Sequence, residues 1–124
     1  MAKAQRILVV EDDRGFRTYL LELLGLWGYD VSVADDGQAA LEHCRAQNPA
    51  LILTDIVMPN SDGFELVTGL KREYPALKII AISGADAGQT YLKVAGALGA
   101  HAVLHKPFPP ESLKEKIEEM LDGD

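Results

Sequence analysis

The chain has 124 residues, of which 48% are hydrophobic and 25% are charged, and its formal net charge at pH 7 is -7. This composition is typical of one globular domain, here residues 1–124, and excludes a disordered or fibrous chain. Because phosphate backbones repel carboxylates, the acidic balance also argues against direct binding of nucleic acid by this chain.

Five short apolar runs recur along the chain and predict β-strands. The first, third and fourth runs lack polar alternation, which is typical of strands that are covered on both faces. The predicted strands are Ile7–Val10, Val31–Ala34, Leu51–Thr54, Ile79–Ser83 and Ala102–Leu104.

Between these runs, apolar residues recur every three or four positions, which predicts amphipathic helices. In the first helix this stripe contains Phe16 and Trp27, which we interpret as core residues. Asp35 or Asp36 is expected to cap a second helix around Gln38–Gln47. The remaining helix signals are the stripe Phe64, Val67, Leu70 and Tyr74, a left-handed stop at Gly99 after a fourth helix, and the start of a fifth helix at Pro109-Pro110.

Strand and helix thus alternate five times, which predicts an α/β fold with a parallel sheet and helices on both faces. The order of the strands does not follow from this pattern. In such folds, functional residues gather at the carboxyl ends of the strands. The polar residues at these ends are Glu11, Asp12 and Asp13 after the first strand, Asp55 after the third, Ser83 at the end of the fourth and Lys106 after the fifth.

The residue types at this edge have the chemistry for phosphoryl transfer to an aspartate. Neighbouring carboxylates repel one another, and a divalent cation that prefers oxygen ligands, Mg²⁺ above all, relieves that repulsion. A carboxylate can then attack phosphorus while the cation and a lysine balance the charge. Each residue alone is more simply explained as a helix cap or a surface charge, and only their coincidence at one edge favours a site.

Four sequence blocks carry a resemblance to the receiver domains of two-component response regulators. They are ILVVEDD, LTDIVMPNSDG, IIAISG and VLHKPF, which occur in the family's order, and the resemblance covers essentially the whole chain. It implies a flavodoxin-like (βα)5 fold with strand order 2-1-3-4-5. It also implies a phosphoacceptor switch rather than an enzyme.

The resemblance assigns a role to each matching residue. Asp55 corresponds to the phosphoacceptor, and Asp13 falls one position past the family's acidic pair, so we interpret Asp13 as a helix cap. The other implied roles are Mg²⁺ ligation by Glu11, Asp12, Asp55 and the backbone carbonyl of Val57, contact with the phosphoryl group by Ser83 and Lys106, and a cis peptide bond at Lys106–Pro107.

The same resemblance implies the partners. The phosphoryl donor would be a histidine kinase or a histidine phosphotransfer protein, and the target a downstream protein or an output domain that this chain does not contain. A receiver-like module that interacts with partners without phosphorylation is the alternative. A flavin-binding protein and a phosphatase resembling haloacid dehalogenases are disfavoured. The acidic run at Glu11 would repel a flavin phosphate, and Val57 stands where those phosphatases carry a second aspartate.

Two departures from the family pattern predict differences in the switch. Val103 occupies a position where receivers often carry an aromatic residue, so a ring rotation is not available here. Val57 and Ala85 are apolar and cannot orient a hydrolytic water, which predicts slow self-dephosphorylation. The glycine-rich stretch 84–88 predicts that the fourth helix moves, forming a partner surface with the fifth strand and fifth helix.

The remaining candidates have simple explanations. Cys44 has no partner for an internal disulfide, which is compatible with a reducing cytoplasm, and its position on a helix predicts packing rather than reactivity. His43, His101 and His105 are expected at the surface or half buried. No apolar run is long enough for a membrane span or a signal peptide, so we expect a cytoplasmic protein without membrane contact.

Overall fold

The computed structural model describes residues 4–58, 61–84, 96 and 99–122, with the backbone alone for residues 57–58 and 61–64. Five parallel strands form its main sheet. They are β1 (Arg6–Val10), β2 (Asp30–Ala34), β3 (Leu51–Asp55), β4 (Lys78–Ser83) and β5 (Ala102–His105), in the spatial order β2-β1-β3-β4-β5. This order is the 2-1-3-4-5 order that the family resemblance implied, and it confirms the expected fold class.

Four helices of the described residues accompany the sheet. They are α1 (Arg14–Leu26), α2 (Gly37–Gln47), α3 (Gly63–Glu73) and α4 (Pro110–Asp122). The last of these is the fifth helix of the sequence prediction, because the predicted fourth helix and Ala85 lie outside the described residues. Within those residues, no helix combines the length and the apolar character needed to cross a membrane.

The loop between β3 and α3 contains paired backbone segments where Asp62-Gly63 indicated a turn. The segments Val57–Met58 and Ser61–Asp62 pair as a short antiparallel ribbon, and α3 starts directly after it at Gly63. The pairing gives backbone groups of this loop hydrogen-bond partners, which the sequence pattern of turn residues did not reveal.

Apolar side chains of the sheet pack on both of its faces. Within β3, Ile52 belongs to a core shared with α2 and α3, whereas Leu51 and Leu53 belong to a core shared with α1 and α4. This two-sided burial explains the absence of polar alternation in the strand sequences. Cys44 is buried in the first of these cores, as its helical position predicted.

The starts of α1 and α2 follow the predicted cap chemistry, and Gly99 has the predicted left-handed backbone. Asp13 precedes α1 and its side chain accepts a hydrogen bond from the Gly15 amide, at 3.3 Å. At α2 the structure selects Asp36 from the two candidates, since its side chain accepts from the Ala39 amide at 2.8 Å. Gly99 has a φ of 127°, and a Cβ there would lie 2.9 Å from the Cγ of Lys71, so this position requires glycine.

Candidate functional site

The parallel strands bring the polar residues of their carboxyl ends to one edge of the sheet. Glu11 directly follows β1, and Asp55 ends β3, which lies between β1 and β4. Ser83 ends β4 opposite His105, the residue before Lys106. The topology therefore gathers residues that are up to 95 positions apart in the chain.

Three carboxylates converge at this edge. Glu11, Asp12 and Asp55 each offer an oxygen atom, and these atoms lie within 4.8 Å of one another. Glu11 and Asp55 are only 1% and 6% exposed, whereas Asp12 faces solvent. Asp13, the fourth acidic candidate, caps α1 instead.

The ammonium group of Lys106 reaches into the same cluster. Its Nζ lies 3.1 Å from Oε1 of Glu11 and 3.4 Å from Oδ2 of Asp55. The Lys106 amide donates to the Ser83 carbonyl at 2.8 Å, which fixes the backbone from which the side chain extends. The peptide bond between Lys106 and Pro107 is cis.

Glu11 has a raised pKa as a result of this arrangement. Its burial raises the pKa of its carboxyl group to about 7, and the negative charge of Asp55 acts in the same direction. The Asp13 amide, which donates to Oε2 at 3.1 Å, and the Lys106 ammonium oppose this rise in pKa. The cluster thus holds more negative charge than one lysine compensates, and a hard divalent cation fits this set of oxygen ligands.

The remaining predicted residues are Ser83, Val57 and Val103. Ser83 is fully buried, and its hydroxyl donates to the Gly84 carbonyl at 3.4 Å. The backbone of Val57 lies in the short ribbon two residues after Asp55. Val103 is half buried and packs against the core shared with α2 and α3.

Phe16 packs against the core as predicted, but its ring also has a contact that the sequence pattern did not reveal. Phe16 was assigned to the core stripe of α1, but the Lys106 Nζ lies 4.1 Å from the centroid of its ring. Phe108 packs edge-on against the same ring, with centroids 6.2 Å apart and an interplanar angle of 82°. The position of Phe16, four residues after Asp12 in the first turn of a helix that begins at the strand end, was the available signal.

Comparisons with known proteins agree on one family. The family model described as "Response regulator receiver domain" matches residues 7–118. The response regulator receiver protein CpdR of Brucella abortus is 39% identical over 117 residues, which covers 94% of this chain and 97% of that protein. A crystal structure of a CheY-like response regulator receiver domain protein from Methanospirillum hungatei JF-1 has a TM-score of 0.90 and 31% identity, and the match covers 98% of this chain and 96% of that one.

Other relatives are longer than this chain. The probable transcriptional regulator ycf27 of Porphyridium aerugineum is 34% identical over 119 residues, and the chain spans 48% of its length. The likeness to such proteins is therefore a likeness to about half of each.

Proposed function

This chain belongs to the response regulator receiver domain family of two-component systems, and on that premise we propose that it accepts a phosphoryl group on Asp55. One observation carries the proposal. The carboxylate of Asp55 is buried 3.4 Å from the Lys106 ammonium and within 4.8 Å of two further carboxylates. A buried nucleophile beside one fixed positive charge and a cation-binding set of oxygens is suited to phosphoryl transfer.

Receiver domains bind Mg²⁺ at an acidic pocket, and the donor set of this chain fits that ion. We assign Asp12 and Asp55 as direct ligands, with Glu11 acting through water and the Val57 carbonyl as a further ligand. When bound, Mg²⁺ supplies positive charge for the oxygens of the incoming phosphoryl group. The raised pKa of Glu11 supports this assignment, because burial and the charge of Asp55 make the cluster gain from an added cation.

The residues of the chain then have separate tasks. An Oδ atom of Asp55 forms the new bond to phosphorus as the bond from phosphorus to the donor's imidazole nitrogen breaks. The Lys106 ammonium pairs with an oxygen of the transferred group. The negative charge of that group is thus added beside a lysine that is already in place. The Ser83 hydroxyl turns from the Gly84 carbonyl to donate to another oxygen of that group.

The partners in this proposal follow from the chemistry of the donor. A phosphohistidine of a histidine kinase or a histidine phosphotransfer protein supplies the phosphoryl group, in the cytoplasm. The output surface comprises β5 and α4 with the segment before β5, and a downstream protein or an output domain binds there. Because Val103 stands in place of an aromatic ring, the effect of phosphorylation reaches this surface through shifts of the backbone and of side-chain packing. The chain acts as a switch that dephosphorylates itself slowly, not as an enzyme.

Incubation with acetyl phosphate and Mg²⁺, followed by intact mass measurement, tests the proposal. Wild-type protein should gain one phosphoryl group, and Asp55→Asn should gain none. Asp13→Asn is the matched control, because it changes an adjacent acidic residue that caps α1, and it should be phosphorylated as wild type is. Chelation of the metal should stop the reaction. A folded wild-type protein that gains no mass would instead support a receiver-like module that works without phosphorylation.

A further inference from the structure

The ammonium group of Lys106 has a third neighbour besides its two carboxylates. The aromatic ring of Phe16 lies under it, with 4.1 Å from Nζ to the ring centroid. At this distance the negative face of an aromatic ring attracts a cation. The lysine side chain is 21% exposed, so the attraction is only partly screened by water.

The ring is itself held in place from several sides. Phe108, two residues after Lys106, contacts it edge-on, and Tyr19 lies one helical turn further along α1 with ring centroids 5.8 Å apart. Phe16 also packs against the core formed by α1, α4 and the sheet. The face that it presents to Lys106 is therefore fixed by α1 and by the segment that carries the lysine.

The ring differs from the carboxylates in one respect that matters for the reaction. Glu11 and Asp55 have other tasks in the proposed function, since one helps to bind the cation and the other receives the phosphoryl group. Their attraction for the ammonium changes when either event occurs. The attraction of the Phe16 ring does not change, because the ring takes part in neither event.

We propose that Phe16 is a positioning residue that keeps the Lys106 ammonium over Asp55 through contact with its ring face. The inference rests on the proposed function for its consequence, although the contact itself is a property of the unphosphorylated protein. It predicts that an aromatic side chain is required at position 16, and that an apolar side chain of similar size does not replace it.

Two measurements on Phe16→Leu and Phe16→Tyr test this inference. The first is the NMR shift of the Lys106 ε-methylene protons in unphosphorylated protein, assigned with Lys106→Arg. These protons should be shifted upfield by the ring in wild type and in Phe16→Tyr, and should return to the ordinary lysine position in Phe16→Leu. The second is the initial rate of phosphorylation by acetyl phosphate with Mg²⁺, which should fall roughly two- to fivefold in Phe16→Leu and be retained in Phe16→Tyr.

Trp27→Leu is the matched control, because it removes another lysine–ring contact, with 5.7 Å from the Lys114 Nζ to the ring centroid of Trp27, the residue that follows α1. It should leave both the Lys106 shift and the rate at wild-type values. If Phe16→Leu fails to fold, Phe16→Met takes its place as a flexible apolar side chain without a ring.

An unchanged shift in Phe16→Leu would overturn the contact, and an unchanged rate with a changed shift would overturn the positioning role. If wild-type protein is not phosphorylated at all, the proposed function fails, whereas the shift still decides whether the ring holds the lysine.

Discussion

The Lys106 ammonium lies nearer to Glu11, at 3.1 Å, than to Asp55, at 3.4 Å. Both carboxylates are buried, so removal of the lysine would leave two negative groups without their shared positive partner. Under the proposed function, a phosphoryl group on Asp55 would add negative charge at the more distant partner. We therefore infer that phosphorylation moves the balance of attraction on Lys106 from Glu11 towards residue 55.

A lysine–histidine cluster lies at the start of β4, the end of the strand away from Ser83 and the carboxylate cluster. The Ile79 amide donates to Nδ1 of His101 at 3.1 Å, and the His101 amide donates to the Ile79 carbonyl at 2.8 Å. The first bond requires a neutral ring with its proton on Nε2. Two lysines act on this ring. Lys71 Nζ of α3 lies 3.4 Å from Nε2, and the charge of Lys78, the first residue of β4, also reaches the ring.

This cluster predicts a pH dependence of stability. Burial first, then the charges of Lys71 and Lys78, lower the pKa of His101 below its ordinary value of 6.5. Between 6.5 and the lower folded pKa, the unfolded chain binds more protons than the folded one. The stability that His101 contributes is therefore present above pH 6.5 and is lost as the pH falls from that value through the lower folded pKa.

Urea unfolding of wild type and His101→Gln at about pH 7.5 and about pH 5.5 measures this contribution. The variant should lose less unfolding free energy than wild type between the two values. His43→Gln, which removes a histidine from α2, should behave as wild type does. Equal losses in wild type and His101→Gln would contradict the assignment.

At the scale of single residues, position in the sequence predicted which side chains lie close together at the site, but not which contacts each of them makes. Asp55 and Lys106 were placed together because strand ends of a parallel sheet meet at one edge. The contact of Lys106 with Phe16 depends on side-chain conformations and on the packing of α1 against the segment after β5. Neither can be obtained from helical periodicity, which shows only that Phe16 lies on the apolar face of α1.

At the scale of elements, the start of α2 offers a test of cap chemistry. Asp36→Ala should lower the free energy of unfolding by about 1 kcal/mol, because the Ala39 amide loses its side-chain acceptor. The neighbouring Asp35→Ala is the matched control, since Asp35 is exposed and precedes the cap. Its effect should remain within about 0.5 kcal/mol. Urea unfolding of both variants measures the difference, and equal losses would mean that Asp36 is not the cap.

The strands were predicted to within one residue at each end, and the reason is clearest for β1, β3 and β4, whose burial on both faces gives uninterrupted apolar runs. The first helix and the last helix were likewise marked by strong stripes and by Asp13 and Pro110 at their starts. The ribbon after β3 was not predicted, since pairs of two residues carry too little periodicity to separate them from a turn. The strand order came from the family resemblance, because alternation alone does not specify it.

For the whole molecule, metal binding should appear as added stability. If the carboxylate cluster binds Mg²⁺ in the folded state alone, free Mg²⁺ at roughly one hundred times its Kd should raise the free energy of unfolding by about 2.7 kcal/mol. Unfolding with and without Mg²⁺ at constant ionic strength measures the gain. Asp12→Asn, which removes a carboxylate of the cluster, should lose most of the gain, whereas Asp13→Asn should keep it. The same gain in Asp12→Asn would indicate binding elsewhere.

The central position of β3 in the sheet has a further consequence for the backbone that carries Asp55. Leu51, Ile52 and Leu53 are fully buried, and β1 and β4 flank the strand on either side. We expect the amide hydrogens of such a strand to exchange with solvent at a free energy close to that of global unfolding. We therefore expect the backbone that carries Asp55 to stay hydrogen-bonded to the neighbouring strands throughout the native state.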